Sequence, residues 1–156
     1  MVGKEIMIEF KESNVKELSQ DIYPLLKEHY EEIALNRDVI KLKPDWEGYK
    51  ALENIGALHC IAVRDGNKLI GYSISIISNS LHYKDNIFAI NDVLFISKEY
   101  RKARVGYRLI KFMKKCFEKR NVSIAHFHVK IDHDFSDLLE FVGCEQVEKV
   151  FQMRLI

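Results

Sequence analysis

A mixed α/β domain is the fold class this sequence predicts, and three observations predict it. The chain has 156 residues and is 47% hydrophobic, which suits one domain spanning residues 1–156 with a core that needs no staples. Its middle, Ala57 to Ile96, is a series of β-prone runs joined by turn residues. The segments on either side carry apolar residues at the helical spacings of about three and four.

The elements follow in order. Glu5 to Phe10 sets Ile6 and Ile8 against Met7 and Glu9 and reads as a first strand. Asn14 followed by Glu17 is a capping-box pattern, and Val15, Leu18, Ile22, Leu25 and Leu26 form the helical stripe behind it. Pro24 falls inside that stripe and removes a backbone donor, so a kink or break is predicted near residues 20–23, with helix resuming from Leu25 to about Ala34. After the loop from Asn36 to Pro44, Asp45 opens a short amphipathic helix with Trp46, Tyr49, Leu52 and Ile55, closed by Gly56. Ala57 to Val63 and Lys68 to Ile77 are strands, joined by the hairpin chemistry of Asp65-Gly66-Asn67. Gly71, inside the second of them, marks a bulge or a tight approach of another backbone.

Ser78 to Asn86 is a polar connection, and Ile87 to Ile96 supply the next strand. A helix then runs from Val105 to about Arg120 on Leu109, Ile110, Phe112, Met113, Cys116 and Phe117. Ser123 to Lys130 alternate as a strand, with Ile124, His126 and His128 on one face. Asp134 caps a helix carrying Phe135, Leu138, Leu139 and Val142, ended by Gly143, and the tail from Glu145 to Ile156 reads as one or two closing strands. The expected architecture is a mixed central sheet of six to seven strands flanked by about four helices, antiparallel at first and parallel across the helix from Val105.

Composition narrows the function. A net charge of +1 favours neither nucleic acid nor an anionic membrane as partner. The start, MVGKEIMIEFKE, carries charges where a signal peptide needs an apolar run, so a cytoplasmic protein is expected. Cys60, Cys116 and Cys144 lack a CxxC spacing and read as reduced core thiols. His126, His128 and His133 could meet zinc with Cys144, but no close second pair accompanies them, and no metal is expected.

The chemistry concentrates between Asn91 and Lys119. Val93 to Ile96 form an apolar strand end, Ser97-Lys98-Glu99 break it, and Arg101, Lys102 and Arg104 lie in the loop before the helix. Backbone N–H groups of Lys102 to Tyr107, at the positive end of that helix, would surround an anion, with Arg101, Arg104 or Arg108 completing the charge. The competing reading is a solvated basic turn, since a single glycine is a weak signal.

This stretch resembles the GCN5-related N-acetyltransferase family. Leu94-Phe95-Ile96 matches its L-x-V strand end, Glu99-Tyr100-Arg101 its P-E-Y-R-like turn, and Arg101-Lys102-Ala103-Arg104-Val105-Gly106 its R/Q-x-x-G-x-G/A loop. FVGCEQVEKVFQMRL, from Phe141 to Leu155, resembles the family's ending, and the L-H-Y and N-D-V-L-F surroundings resemble members encoded by tailed phages. The resemblance implies acetyl-CoA as cosubstrate. Its diphosphate would lie on Arg101, Lys102, Ala103, Arg104, Val105, Gly106 and Tyr107, its pantetheine arm along Leu94, Phe95 and Ile96, with Asp132 added from the loop after the last long strand. Two positions depart from the pattern: Arg104 stands where the first loop glycine belongs, and Leu139 where many members carry a tyrosine acid.

The implied reaction moves an acetyl group to a primary amine by direct attack in a ternary complex. The amine must first lose a proton, and Asp92, placed by alternation on the face of Leu94 and Ile96, is the preferred base, with Asn91 and Glu99 as alternatives. A backbone N–H near Leu94 or Phe95 would meet the oxyanion. Tyr100, Tyr107, Ser136 or a water are the candidates for the acid. Tyr30, Trp46, Tyr49, His82, Tyr83 and His128 are expected to line the acceptor pocket, the other reading being core residues of their helix for Trp46 and Tyr49 and a loop anchor for His82-Tyr83; Glu28, Glu31, Glu32 and Asp38 either attract a cationic amine or form an acidic solvated face. The acceptor is a small molecule or a protein amine, and the resemblance also implies a homodimer. Arg104 and Leu139 favour an alternative: a weak or inactive CoA-binding or regulatory module.

Overall fold

The computed structural model describes residues 7–156, so Glu5 and Ile6 of the expected first strand lie outside the described residues. Five strands form one sheet in chain order: β1 (Ile8–Ser13), β2 (Leu58–Asp65), β3 (Lys68–Asn79), β4 (Ile87–Ile96) and β5 (Val122–Phe127). The first four pair antiparallel, and β5 joins β4 in parallel. The helices are α1 (Val15–Asp21), α2 (Tyr23–Ile33), α3 (Trp46–Asn54), α4 (Val105–Lys119) and α5 (Ser136–Phe141), and α4 is the crossover that makes the last pairing parallel.

Local chemistry explains the boundaries. Asn14 Oδ1 accepts from the Glu17 N–H at 2.9 Å and starts α1, while Asp45 Oδ1 accepts from the Gly48 N–H at 2.9 Å and starts α3. Pro24 sits in the first turn of α2, where its missing N–H costs nothing, and the break before it falls at Ile22. Gly56 and Gly66 hold positive φ, of 73° and 58°, at a helix end and a hairpin turn. Both readings of Gly71 hold: the β2–β3 register slips between Val63 and Arg64, and a Cβ on Gly71 would stand 2.8 Å from the Phe95 carbonyl oxygen.

The sheet has a core on each face. Under α1 and α2, Leu18, Ile22, Leu25, Tyr72, Ile74 and Phe95 are buried together. Under α4, Ile61, Val63, Ile70, Ala89, Leu109 and Met113 do the same. Each such side chain removed from water contributes about 1.5–3 kcal/mol, so α4 is bound mainly by its apolar stripe.

Two expectations are corrected. The sheet has five strands among the described residues instead of six to seven, because residues 144–156 take no regular structure and stay largely exposed. Phe151, Met153 and Leu155 do alternate with Gln152 and Arg154, but no strand among the described residues takes up the tail's backbone, and Arg154 pairs instead with Asp38 at 2.7 Å. The strand expected to Lys130 stops at Phe127, because Lys130 and His133 close a tight turn instead. No helix among the described residues is long and apolar enough to cross a membrane.

Candidate active site

The strand β4 changes character halfway. From Ile87 to Asn91 it pairs with β3 on one side and β5 on the other. Beyond Asn91 no strand among the described residues continues the β5 side, so the backbone of residues 92–96 presents an open edge there. The β3–β4 register also slips between Ile74 and Ser75, opposite Asn91 and Val93, which leaves Asp92 as the extra residue of a β-bulge. Asn91 holds this bulge: its buried Nδ2 lies 3.1 Å from Ser73 Oγ and 3.2 Å from Ser75 Oγ, Ile74 O and Val93 O.

The bulge corrects the phase expected for Asp92. Leu94 and Ile96 pack in the α4 core, whereas Val93 and Phe95 pack in the core under α1 and α2. Asp92 belongs with the second set. Its Oδ2 accepts a 2.6 Å hydrogen bond from the Tyr49 hydroxyl of α3, and the carboxylate is otherwise exposed. An inserted residue shifts the alternation by one, so simple period-two counting fails across it. Burial, followed by the bond to the Asp92 carboxylate, raises the Tyr49 phenol above its ordinary pKa and keeps it a donor.

The loop into α4 is built on two consecutive left-handed residues, Ala103 at φ 53° and Arg104 at φ 59°. An L-residue gives up about 1–2 kcal/mol in this conformation, so the turn is held by what surrounds it. The N–H groups of Lys102, Ala103, Arg104, Gly106 and Tyr107 have no hydrogen-bond partner among the described residues. They gather at the positive end of a 15-residue helix, with the Lys102 and Arg104 side chains exposed beside them. Val105 is buried in the core, and Gly106 sits close under α5: a Cβ there would stand 3.1 Å from Leu138 Cδ2, so that side chain would have to give by a few tenths of an ångström.

Arg101 and Arg108 are engaged elsewhere. Arg101 makes a bidentate pair with Glu32 at 2.7 and 2.8 Å, donates from Nε to the Ile96 carbonyl at 2.9 Å, and lies 5.3 Å from the Phe95 ring centre. Arg108 donates to the Ile8 carbonyl at 3.3 Å and stacks over Phe10 at 4.9 Å. Glu28 accepts from Ser97 Oγ and the Lys98 N–H, all at 3.1 Å. The acidic face of α2 therefore clamps the loop after β4, because carboxylates and loop donors meet across the fold. Glu31 faces Lys27 at 3.9 Å and Asp38 pairs with Arg154 at 2.7 Å, so each of the four carboxylates expected to attract an amine has a partner within the chain.

The other expected residues divide. Trp46 and Tyr49 lie together on α3, their rings 5.9 Å apart, and pack against the core beside β4. Tyr30 bonds the Ile40 carbonyl at 2.6 Å and anchors the loop after α2. The exposed Tyr83 stacks on Phe88 at 6.5 Å, with His82 6.4 Å from Tyr83 and His126 5.6 Å from Phe88, which continues an aromatic row along β4. His128 lies exposed past the end of β5, and Asp132 is exposed in the turn between Lys130 and His133. Tyr100 is drawn to the β2–β3 hairpin by a 3.0 Å bond to Asp65, and Glu99 to Lys68 at 2.8 Å. Tyr107 packs on Phe141 at 5.6 Å, and Leu139 is buried.

Sequence reading missed a buried pair. His29 Nδ1 and the Tyr72 hydroxyl are 2.7 Å apart, and the His29 ring stacks on Phe95 at 4.6 Å and 18°. Burial pushes His29 down to about 4, so the ring is neutral near pH 7. A histidine on an apolar helix face was its only signal in the chain.

This arrangement of a bulged, half-open β4 feeding an anion-ready loop defines a class: the chain has the GCN5-related N-acetyltransferase fold. Among solved structures it is similar to an aminoglycoside acetyltransferase from an uncultured soil metagenomic sample, with a TM-score of 0.74, 12% identity, and 97% of this chain and 100% of that one covered. It is also similar to a predicted acetyltransferase with acetyl-CoA from Clostridium acetobutylicum, with a TM-score of 0.71, 10% identity, and 96% and 97% coverage. A third is a transcriptional regulator from Bacillus halodurans C-125, with a TM-score of 0.75, 14% identity, and 96% and 100% coverage. No protein-family model matches the chain, and no curated protein sequence does. Nothing in these comparisons supports a phage origin.

Proposed function

We propose that the protein transfers an acetyl group from acetyl-CoA to a primary amine by direct attack in a ternary complex. The observation that carries this reading is the open edge of residues 92–96 leading into unpartnered N–H groups at the start of α4. These residues fit the cosubstrate: the Lys102 and Arg104 side chains and the N–H groups of Lys102, Ala103, Arg104, Gly106 and Tyr107 would hold a diphosphate, and the backbone of Leu94, Phe95 and Ile96 would lie beside the pantetheine arm. When bound, acetyl-CoA supplies an activated thioester.

The chain's own residues manage the proton and the position of the amine. An ammonium has no lone pair, so the exposed Asp92 carboxylate takes the proton, directly or through water. Tyr49 donates to Asp92 and fixes it on the α3 side, where Trp46 forms part of the acceptor wall. The aromatic row of Tyr83, Phe88 and His126 extends that wall along β4. With Leu139 buried and Tyr100 held by Asp65, the departing thiolate takes its proton from water or from Tyr107, and a thiol pKa of about 8.5 makes it a tolerable leaving group without help.

A non-catalytic CoA-binding or regulatory module is the second reading. Buried Leu139 favours it, as does a neighbour described as a transcriptional regulator. Calorimetric titration with acetyl-CoA is the first test, and no binding at millimolar ligand would overturn the cosubstrate. Thiol release over a panel of amines then separates the enzyme from the module.

A further inference from the structure

We propose that Glu12, His59 and Cys116 form a zinc site on the α4 side of the sheet, across the sheet from Asp92 and independent of acetyl transfer. The three residues come from β1, β2 and α4, and their ligand atoms all lie within 4.8 Å of one another. Glu12 pairs with Ile61 in the β1–β2 ladder, which puts it diagonal to His59 on one sheet face. Cys116 follows Met113 on the buried stripe of α4, and so projects onto that face. His59 Nε2 stands 3.9 Å from Glu12 Oε1.

The second observation is independent of proximity. His59 is only 1% exposed, and neither ring nitrogen has a hydrogen-bond partner among the described residues. Buried imidazoles are ordinarily satisfied, and one whose Nε2 lies unpartnered beside a thiol and a carboxylate has a donor nitrogen free for a metal. Zinc takes imidazole, thiolate and carboxylate at about 2.0–2.3 Å in a tetrahedron, which spaces ligand atoms about 3.3–3.8 Å apart. The His59–Glu12 distance already lies near that range, and the half-exposed Glu12 side chain can rotate to close the rest.

Charge and access suit a divalent ion. Binding releases the Cys116 thiol proton to solvent, after which one thiolate and one carboxylate neutralise Zn2+ within an otherwise apolar core. Borderline-soft nitrogen and sulfur donors exclude magnesium and calcium. Glu12 opens the site to solvent on one side, which provides an entry path and a fourth position for water. Arg120, whose charge reaches Glu12, is directed to the Leu58 carbonyl at 3.5 Å.

The test uses the full, untagged chain stripped of metal. Zinc affinity is measured by competition with a chromophoric chelator, and coordination by the near-ultraviolet sulfur-to-metal charge-transfer band of the Co2+ form. The expected result is one zinc per chain, a cobalt–thiolate band, and a melting temperature raised by zinc. Glu12→Gln, at a half-exposed position that threatens the fold little, should weaken zinc at least about tenfold, Cys116→Ala should abolish the cobalt–thiolate band, and Cys144→Ser should change neither. Failure to bind zinc stoichiometrically, a cobalt form without the thiolate band, or equal affinity in wild type and Glu12→Gln would overturn the site.

Discussion

The two halves of β4 are both apolar, yet they do different things. Ile87 to Asn91 have a strand on each side, and Val93 to Ile96 have, among the described residues, only β3 beside them. In the first half the backbone is satisfied within the sheet, and the side chains decide which face is buried. In the second half a backbone edge without a strand partner remains among the described residues, where Arg101 reaches the Ile96 carbonyl and Asn91 the Val93 carbonyl, while His29 stacks on the Phe95 ring on one face. The bulge at Asp92 separates the halves and turns its carboxylate toward α3. The difference teaches that a strand offers backbone where its neighbour stops and re-aims a side chain where its alternation slips.

The sharpest way to break this contrast is at the junction. Asp92→Asn neutralises the proposed base while preserving shape, and on that proposal turnover in a thiol-release assay should fall about 10²–10⁴-fold with acetyl-CoA affinity unchanged by calorimetry. Unchanged turnover would remove Asp92 from the mechanism. Asn91→Ala attacks the bulge itself, stripping a donor from the buried Ser73 and Ser75 hydroxyls. Urea unfolding should register a loss of up to about 3 kcal/mol, and a negligible loss would show that the backbone holds the bulge alone.

A smaller effect tests the cover of the open half. His29 titrates near 4 in the folded protein, against its ordinary 6.5. The unfolded chain therefore binds the proton more readily, and the contribution of neutral His29, complete above pH 6.5, is lost as pH falls toward 4. Between about pH 7.5 and 4.5 the wild type should lose about 2.5 kcal/mol more stability than His29→Leu. Parallel pH profiles for the two proteins would contradict a buried neutral histidine. The smallest effect belongs to the loop that follows: Arg104→Gly relieves φ 59° and should gain about 1 kcal/mol in the same unfolding measurement. A loss there would show that Arg104 makes stabilising contacts that outweigh the strain.

Much of this framework was readable from neighbouring residues. Asn14, Pro24 and Asp45 place helix starts through groups within one turn of themselves, Gly66 makes its hairpin locally, and the α4 stripe needs only its own spacing. The basic loop and the helix start behind it were legible for the same reason, since these residues lie side by side in the chain. The roles of particular charges were not. Arg101 looked free in the sequence, but Glu32, 69 residues away, holds it. The acidic run on α2 looked like an attractant for amines, and Glu28 instead fastens Ser97 and Lys98.

By itself, then, the sequence determined the order of elements, most of their ends, and the basic loop at the start of α4, because capping, turn chemistry and apolar spacing act over a few residues. Only the tertiary structure decided where β5 stops beside β4, which face Asp92 takes, that His29 meets Tyr72, and that Glu12, His59 and Cys116 converge. Those outcomes depend on strand register and on how helices cross the sheet, and the single inserted residue in β4 decides the face that Asp92 takes.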